Sequence, residues 1–539
     1  MHRLPTVETE VADELAAIRP GLLPRYAAEL PGARAAVLTR LWRALAHEPL
    51  PWVRKREASR DELVLHLRDE RTLHGPAADP YRTDAYVDEV RLDGVLYGDP
   101  ARLTVDLAVP HGVGYAAELG HSVASMALAR AGQDEDRAAP ADQPGGWPQH
   151  DWEAEQWVVD GHPFHPNCRT RPGFSVADQL AYAPEHRPVV GLGLVPVKAA
   201  SCRVAGVWPE GLRDGEYVLV PVHPWQAAHV LARPCDARLP SHPLMSLRTL
   251  ALPSGPHVKT ALSTRLTSFV RNMSVDSVVA SAALSTFGED LAARMDGVLH
   301  VTRALGAATD GSPDLAAVVR ESPAAYAARG ERVLPVAALP ATGLPGSPAW
   351  LTAFTRLALT AGLRLLEMGV ALEAHGQNLL VVLDQTDAPR CLVYRDMADI
   401  RVSPARLTRH GLTAPDLPRR IVTDDHRALR RKVFGSLVGG ALAATAGSGA
   451  ALGEALEKAV RDLPRSPDLT ALLEEPLPVK ALVLMGLSPG TAGDLWGELP
   501  NPLCSRFRVG RTGGRPHRFR DTDHPALIPP SPGTAPEDG

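Results

Sequence analysis

Lysine is nearly missing from this chain. Only Lys55, Lys198, Lys259, Lys432, Lys458 and Lys480 occur in 539 residues, and arginine supplies the rest of the 57 basic side chains. Such bias, with abundant Ala and Pro, reads as compositional. Against 62 acidic residues the net charge is −5, so no basic surplus marks a nucleic-acid partner. Cysteine is scarce as well. Cys168, Cys202, Cys235, Cys391 and Cys504 form no CxxC pair, which suggests neither a zinc knuckle nor a disulfide framework. The opening residues Met1 to Glu8 turn acidic before any apolar run develops, which reads as no secretion signal and a cytoplasmic location. Long apolar runs are missing too, apart from the uncharged stretch Val433 to Gly453. It is mostly Ala, Gly, Ser and Thr, so membrane insertion would be weakly driven. Gly435 and Gly439 suit a tightly packed internal helix instead. With 45% hydrophobic and 22% charged residues the composition is globular, and the length predicts two or three lobes.

Residues 8–130 read largely as helices, with Leu38, Leu41 and Leu45 and the segment Glu118 to Arg130 at helical spacing. Gln133 to Gln149 is polar, carries Gly and Pro, and marks a linker or long loop. From about Asp151 to His300 the pattern is shorter and β-like, as in Val189 to Val197 and Tyr217 to Val222. Residues 305–349, rich in Ala, Gly and Pro, read as helical turns and loops. The clearest helix runs from Ala349 to about Ala371, with Leu351, Phe354, Ala358, Ala361, Leu365 and Met368 forming a core-facing stripe.

Directly after that helix comes Glu373-Ala374-His375-Gly376-Gln377-Asn378. Leu379 to Leu383 then reads as a buried strand and Cys391 to Tyr394 as its returning partner, ending at Arg395-Asp396. A hairpin brings its ends together, so Asn378 and Asp396 are expected side by side, with Glu373 nearby. Oxygen donors of this kind suit magnesium, which commonly shares its shell with nucleotide phosphates. They equally suit a polar loop with a buried, hydrogen-bonded aspartate. The segment Lys259 to Arg271 intersperses cations and hydroxyls with apolar residues. On one strand Lys259, Ser263, Arg265, Thr267 and Arg271 would share a face fit for phosphate oxygens, or simply face solvent. Upstream, Ser246-Leu247-Arg248-Thr249 offers another hydroxyl–guanidinium cluster. The loop Gly161-His162-Pro163-Phe164-His165-Pro166, continuing to Arg169 and Arg171, presents imidazoles and arginines, and its prolines rule out a helical metal pair. His223-Pro224-Trp225-Gln226 is a similar turn. Taken singly, either also reads as a satisfied loop histidine.

In this order the HPxHP loop, the HPWQ turn, the SxRT cluster, the KTxLS…TS…R segment and the ExHxQN hairpin ending in RD resemble the IucA/IucC family, the NRPS-independent siderophore synthetases. The resemblance spans His162 to Asp396, and Glu118 to Ala129 and Val479 to Leu482 are similar to the family's early and late helices. It implies an α+β, cupped-hand architecture: an N-terminal helical thumb over 1–150, β-rich fingers with ATP-binding motifs over 151–345, and a C-terminal palm over 346–539. The palm would hold a kinase-like helix–hairpin and a helical region resembling iron–siderophore reductases. The implied reaction adenylates a carboxylate of citrate or a related acid with ATP, releasing pyrophosphate. An amine, hydroxylamine or alcohol then displaces AMP. By the same resemblance Ser246, Arg248 and Thr249 touch ATP, Lys259 and Arg271 bind its phosphates, and Arg271 also meets the substrate carboxylate. His375 stabilises charge at the α-phosphate, Gln377 orients the nucleotide, and His165 and Arg169 close the phosphate end. Glu373, Asn378 and Asp396 hold Mg²⁺, and a homodimer is expected. Two positions depart from the pattern: Arg169 stands where the family usually has lysine, and Gly486 where it has arginine. Competing readings are a small-molecule phosphotransferase, a catalytically dead carboxylate-binding protein, and an iron–siderophore reductase. For the last, four cysteine ligands would be needed, and only Cys504 lies in the last hundred residues.

Overall fold

The computed structural model describes residues 6–507 apart from 78, 134–146, 234, 236–237, 268 and 492. The expected linker Gln133 to Gln149 therefore lies mostly outside the described residues. What is described is a mixed α and β protein built around three main sheets.

The N-terminal part packs two long helices, Leu23–His47 and Gly112–Ala131, around Leu38, Leu41, Leu45, Leu119 and Met126. Between them the helical expectation fails. Residues 53–97 form a five-stranded antiparallel meander. Strand Glu62–Leu67 shows why: Leu63, Leu65 and Leu67 are buried and alternate with Glu62, Val64 and His66, a period of two. The charges of its neighbour Val53–Ala58 conceal that period in the sequence.

The middle of the chain builds a nine-stranded sheet that includes Val190–Lys198, Tyr217–Val222, Arg238–Pro243, Thr249–Ala251 and His257–Thr260. Residues 305–349 correct a second expectation. Ala304–Thr309 and Ala316–Arg320 join this sheet, and Arg332–Pro335 joins a third one; helical turns form at Pro323–Tyr326 and from Val336 onward. Ala307, Ala308, Ala316 and Ala317 are fully buried, so pairing with neighbours overrides alanine's poor strand preference. A third correction concerns Lys259 to Arg271, which is not one strand. Lys259 lies on the nine-stranded sheet, whereas Leu262–Leu266 and Phe269–Arg271 make a separate hairpin around Thr267 at φ 60°. Ser263 consequently bonds Gln226 and Asp314, and Arg265 pairs with Glu118.

The helix Pro348–Met368 starts at Ser347, whose side chain accepts from the Trp350 amide, with Pro348 in its first turn. It stops at Gly369, where φ is 100° and a Cβ would lie 2.8 Å from the Ser403 carbonyl oxygen. Its stripe packs against the four-stranded sheet whose central hairpin is Leu379–Leu383 with Pro389–Tyr394, Leu379 lying opposite Tyr394. Val433 to Gly453 is internal. No single helix among the described residues is long and apolar enough to cross a membrane. A Cβ on Gly435 would meet the Trp496 ring at 2.7 Å. The expected late helix around Val479 is instead the strand Leu477–Lys480, followed by the short helix Leu482–Gly486.

Glu48, just after the helix Leu23–His47, ties the N-terminal part to the segment at 483–484. Its buried carboxylate accepts from the amides of Val483 (3.1 Å) and Leu484 (2.8 Å). Burial pushes this carboxyl up to about 7 from its ordinary 4.5, against those two hydrogen bonds. The folded state thus keeps a proton that the unfolded chain releases, and stability falls as pH rises from about 4.5 to about 7. We expect Glu48→Gln to remove roughly 3 kcal/mol of that fall. Urea midpoints across the window measure it, and an unchanged slope refutes the assignment.

Candidate active site

The open end of the central hairpin faces the nine-stranded sheet across a cavity of about 260 Å³. The sheet presents its groups by register. Thr249 sits opposite Lys259, and His257, two residues earlier, sits opposite Arg320, so Thr249, Lys259 and Arg320 share one face. Ahead of Thr249 a tight turn with Leu247 at φ 66° aims Ser246 and Arg248 into the same space. The Ser246 hydroxyl accepts from the Thr249 amide (3.2 Å), and Arg248 Nη1 donates to the carbonyl of Arg271 (2.6 Å). Arg271, at the end of the second hairpin, donates through Nη2 to the Thr267 hydroxyl (2.7 Å).

From the other side come Glu373, His375, Gln377 and Asn378, with Arg395 and Asp396 returning beside them. The Arg395 amide donates to the Asn378 carbonyl (3.0 Å), which closes the hairpin as the spacing predicts. Arg395 Nε donates to the Gln377 carbonyl (2.9 Å), and its guanidinium pairs with buried Glu155 (2.5 Å). Asp396 turns out of the strand at φ 78°.

Seven cations line this cavity: Arg169, Arg171, Arg248, Lys259, Arg271, Arg320 and Arg395. Only Glu373, Asp396 and Asp399 oppose them there. Lys259 pairs with Asp396. Burial lowers Lys259 to about 8, with Asp396 pulling the other way. Burial would raise Asp396, yet Lys259, Arg320 and Arg248 together hold it well below the usual carboxylate range. Glu373 is likewise held low against burial, by Lys480 (2.6 Å) and Lys432 (3.1 Å). Burial also lowers His375, partly offset by Glu373, so the imidazole is neutral at pH 7. Its Nδ1 accepts from the Gln377 amide (3.3 Å), which places the remaining proton on Nε2 as a donor.

Of the twelve residues to which the family resemblance gives a role, eleven line this cavity. His165 does not; it is buried, and burial lowers it to about 3. Arg169 lines the wall, but its guanidinium is drawn toward Glu185 (3.2 Å) and the carbonyls of Val158 and Val159, away from a phosphate. Glu373 is already engaged by two lysines, which disfavours it as a metal ligand. His223 is a structural corner: its Nδ1 accepts from the Trp225 amide (3.2 Å), while Gln226 braces Ser263. The sequence reading missed Arg320, Lys432 and Lys480. For the two lysines the signal was the scarcity of lysine itself. Three of the six lysines converge here, where a compact, titratable point charge does what a guanidinium fork cannot.

A second, mostly apolar cavity of about 420 Å³ lies across His375, Gln377 and Thr267, walled by Tyr86, Trp157, Val336, Ala337 and Ala441. A third of about 180 Å³ touches Thr267 from the side of Glu118, Arg265 and Gly486.

This architecture has solved counterparts. The petrobactin biosynthesis protein AsbB from Bacillus anthracis str. Sterne superposes with a TM-score of 0.73 over 91% of this chain and 98% of its own, at 18% identity. ATP-bound aerobactin synthetase IucA from Klebsiella pneumoniae gives 0.68 over 87% and 99%, at 20% identity. These likenesses define a siderophore-synthetase fold. In sequence, residues 151–341 match the model of the IucA / IucC family, and residues 348–490 match that of the ferric iron reductase FhuF-like transporter. The likeness to the IucA / IucC family thus rests on about a third of the chain in sequence and on most of it in fold. A citryl-spermidine/3,4-dihydroxybenzoyl-citryl-spermidine:spermidine ligase of Bacillus anthracis is 25% identical over 43% of this chain and 48% of its own. The rhizobactin siderophore biosynthesis protein RhbF of Rhizobium meliloti (strain 1021) is 24% identical over 44% and 52%. The chain thus spans about half the length of the curated relatives it matches. Within 348–490 the single cysteine is Cys391, buried in the sheet, which gives the reductase reading no thiolate set.

Gly486 explains its own departure. A Cβ there would lie 2.4 Å from the buried Tyr115 ring. We expect Gly486→Ala to destabilise the protein by about 1–3 kcal/mol and Tyr115→Leu to relieve part of that loss. Paired thermal melts check this, and a neutral alanine would contradict it.

Proposed function

We propose that this chain is an ATP-dependent, AMP-forming ligase that joins a carboxylic acid, citrate or a related acid, to an amine, hydroxylamine or alcohol in siderophore biosynthesis. The observation that carries the reading is the convergence of Lys259, Arg248, Arg271 and Arg320 with neutral His375 in one cavity. Attack of a carboxylate on a phosphate sets one anion on another, and prearranged cations in a water-poor site lower that repulsion. Ser246 and Thr249 offer hydroxyls beside them. Lys259 and Arg271 hold the phosphates, Arg271 also meets the carboxylate, and His375 Nε2–H donates to the oxygen on which charge grows. Gln377, shared by the polar and apolar cavities, sits where the two halves of a nucleotide would join.

The residues present fit magnesium in part. Asp396 and Asn378 offer oxygens at the hairpin mouth beside Asp399, and Glu373 serves by anchoring Lys432 and Lys480 rather than as a ligand. Among the described residues no His, Cys, Asp and Glu side chains form a cage of three; magnesium requires none where phosphates complete its shell. When bound, the ion would neutralise phosphate charge. Lys259 would then exchange Asp396 for a phosphate oxygen.

The test is an acid-dependent pyrophosphate-release screen with citrate, 2-oxoglutarate and citryl half-amides, with and without amine acceptors. AMP plus pyrophosphate supports the ligase, whereas ADP would support the phosphotransferase reading. His375→Ala and Arg271→Ala are expected to fold yet lose about 100- to 1000-fold in turnover; wild-type rates in either would show the role misassigned. Because the Lys259 ammonium is present below about 8 and lost above it, kcat/KM for ATP should fall as pH rises through that value. Lys259→Arg should move the fall upward, and a fall at the same pH in the variant would exclude Lys259 as its source.

A further inference from the structure

We propose that the third cavity receives the acceptor and selects one bearing an amino-acid head group, an ammonium beside a carboxylate. The proposal rests on the ligase reading for its place in the reaction, but the binding preference it states is measurable without that reading.

Position comes first. The cavity is walled by Glu118, Asn167, Arg265 and Thr267 and by residues between Met485 and Thr491. Thr267 lines all three cavities, and its hydroxyl accepts from Arg271. A molecule held here is therefore one side chain away from the cation assigned to the reacting carboxylate. Gly486 lines it and packs against the Tyr115 ring, which leaves no room for a side chain there.

Charge comes second. Glu118 and Arg265 are the two charged residues among those lining the cavity, and they pair at 2.8 Å. Arg265 is over a third exposed, so the pair contributes little to stability and opens at little cost. Asn167 donates to the second oxygen of Glu118 (2.6 Å) and keeps the carboxylate in place when Arg265 moves. One fixed anion beside one mobile cation matches a zwitterion: the ammonium goes to Glu118 and the carboxylate to Arg265. One ion pair becomes two, and no net charge is buried. A diamine or polyamine brings several positive charges to one carboxylate and meets repulsion from Arg265.

With the α-head group held, the attacking atom is a side-chain amine in its neutral form. Its nitrogen bonds to the acyl carbon of the acyl adenylate, the carbon–oxygen bond to phosphate breaks, AMP leaves with that electron pair, and the nitrogen's extra proton passes to water. The product is linked through the side chain.

The experiment compares L-ornithine with putrescine, its decarboxylated counterpart, by calorimetric titration of the nucleotide-free protein. Ornithine should bind about tenfold more tightly or better, and in Arg265→Gln the ratio should fall to about one. Equal binding of the two by the wild type, measurable binding by neither, or a ratio untouched in Arg265→Gln overturns the proposal. The wild-type comparison stands even if the variant does not fold. Absence of acid-dependent pyrophosphate release would overturn the ligase reading and leave the measured preference as it is.

Discussion

The ion pair between Lys259 and Asp396 is the contact on which the rest of the site turns. Seven basic groups facing one cavity repel each other, and burial makes each more costly to keep charged. They coexist because Asp396, Glu155 and Glu185 each neutralise a neighbour, and because Glu373 draws Lys432 and Lys480 to its own side. The remaining positive potential is unspent. Under the ligase reading, a polyphosphate entering this space would supply the charge that the protein lacks.

Around that contact the fold divides labour between rigid and adjustable parts. The nine-stranded sheet fixes Thr249, Lys259 and Arg320 by register, and the hairpin of the smaller sheet fixes Asn378 and Asp396. Arg271 instead hangs from a two-stranded hairpin whose tip, Thr267, borders three cavities. A residue so placed can sense what occupies each chamber. The buried arginines contribute charge that pH does not remove, whereas Lys259 contributes charge that it does.

Much of this was legible in the sequence, for identifiable reasons. The helix Pro348–Met368 declared itself through a complete apolar stripe, and the hairpin after it through two buried strands bounded by a turn. Their junction therefore placed Asn378 near Asp396 before any coordinates. Lys259 to Arg271 reads as one strand and is not, because nothing local announces that Thr267 takes a left-handed turn. Arg320 stayed hidden for a different reason: it reaches the site by pairing across a sheet, a contact between residues more than sixty positions apart. The alanine strands Ala304–Thr309 and Ala316–Arg320 carried no pattern, since small side chains become strands only where neighbours press on both faces.

The Glu48 clamp has a consequence for biosynthesis. Its amide partners lie 435 positions downstream, and Lys480, which steadies Glu373, comes 107 positions after it. Contacts so distant in sequence form late, because loop closure must precede them. On the ribosome, all strands of the three main sheets are synthesised before residues 477–486. Until then Glu373 lacks Lys480, and the carboxylate of Glu48 has no helix to cap. Completion of the Glu373 cluster therefore waits on a segment made more than a hundred residues after that glutamate.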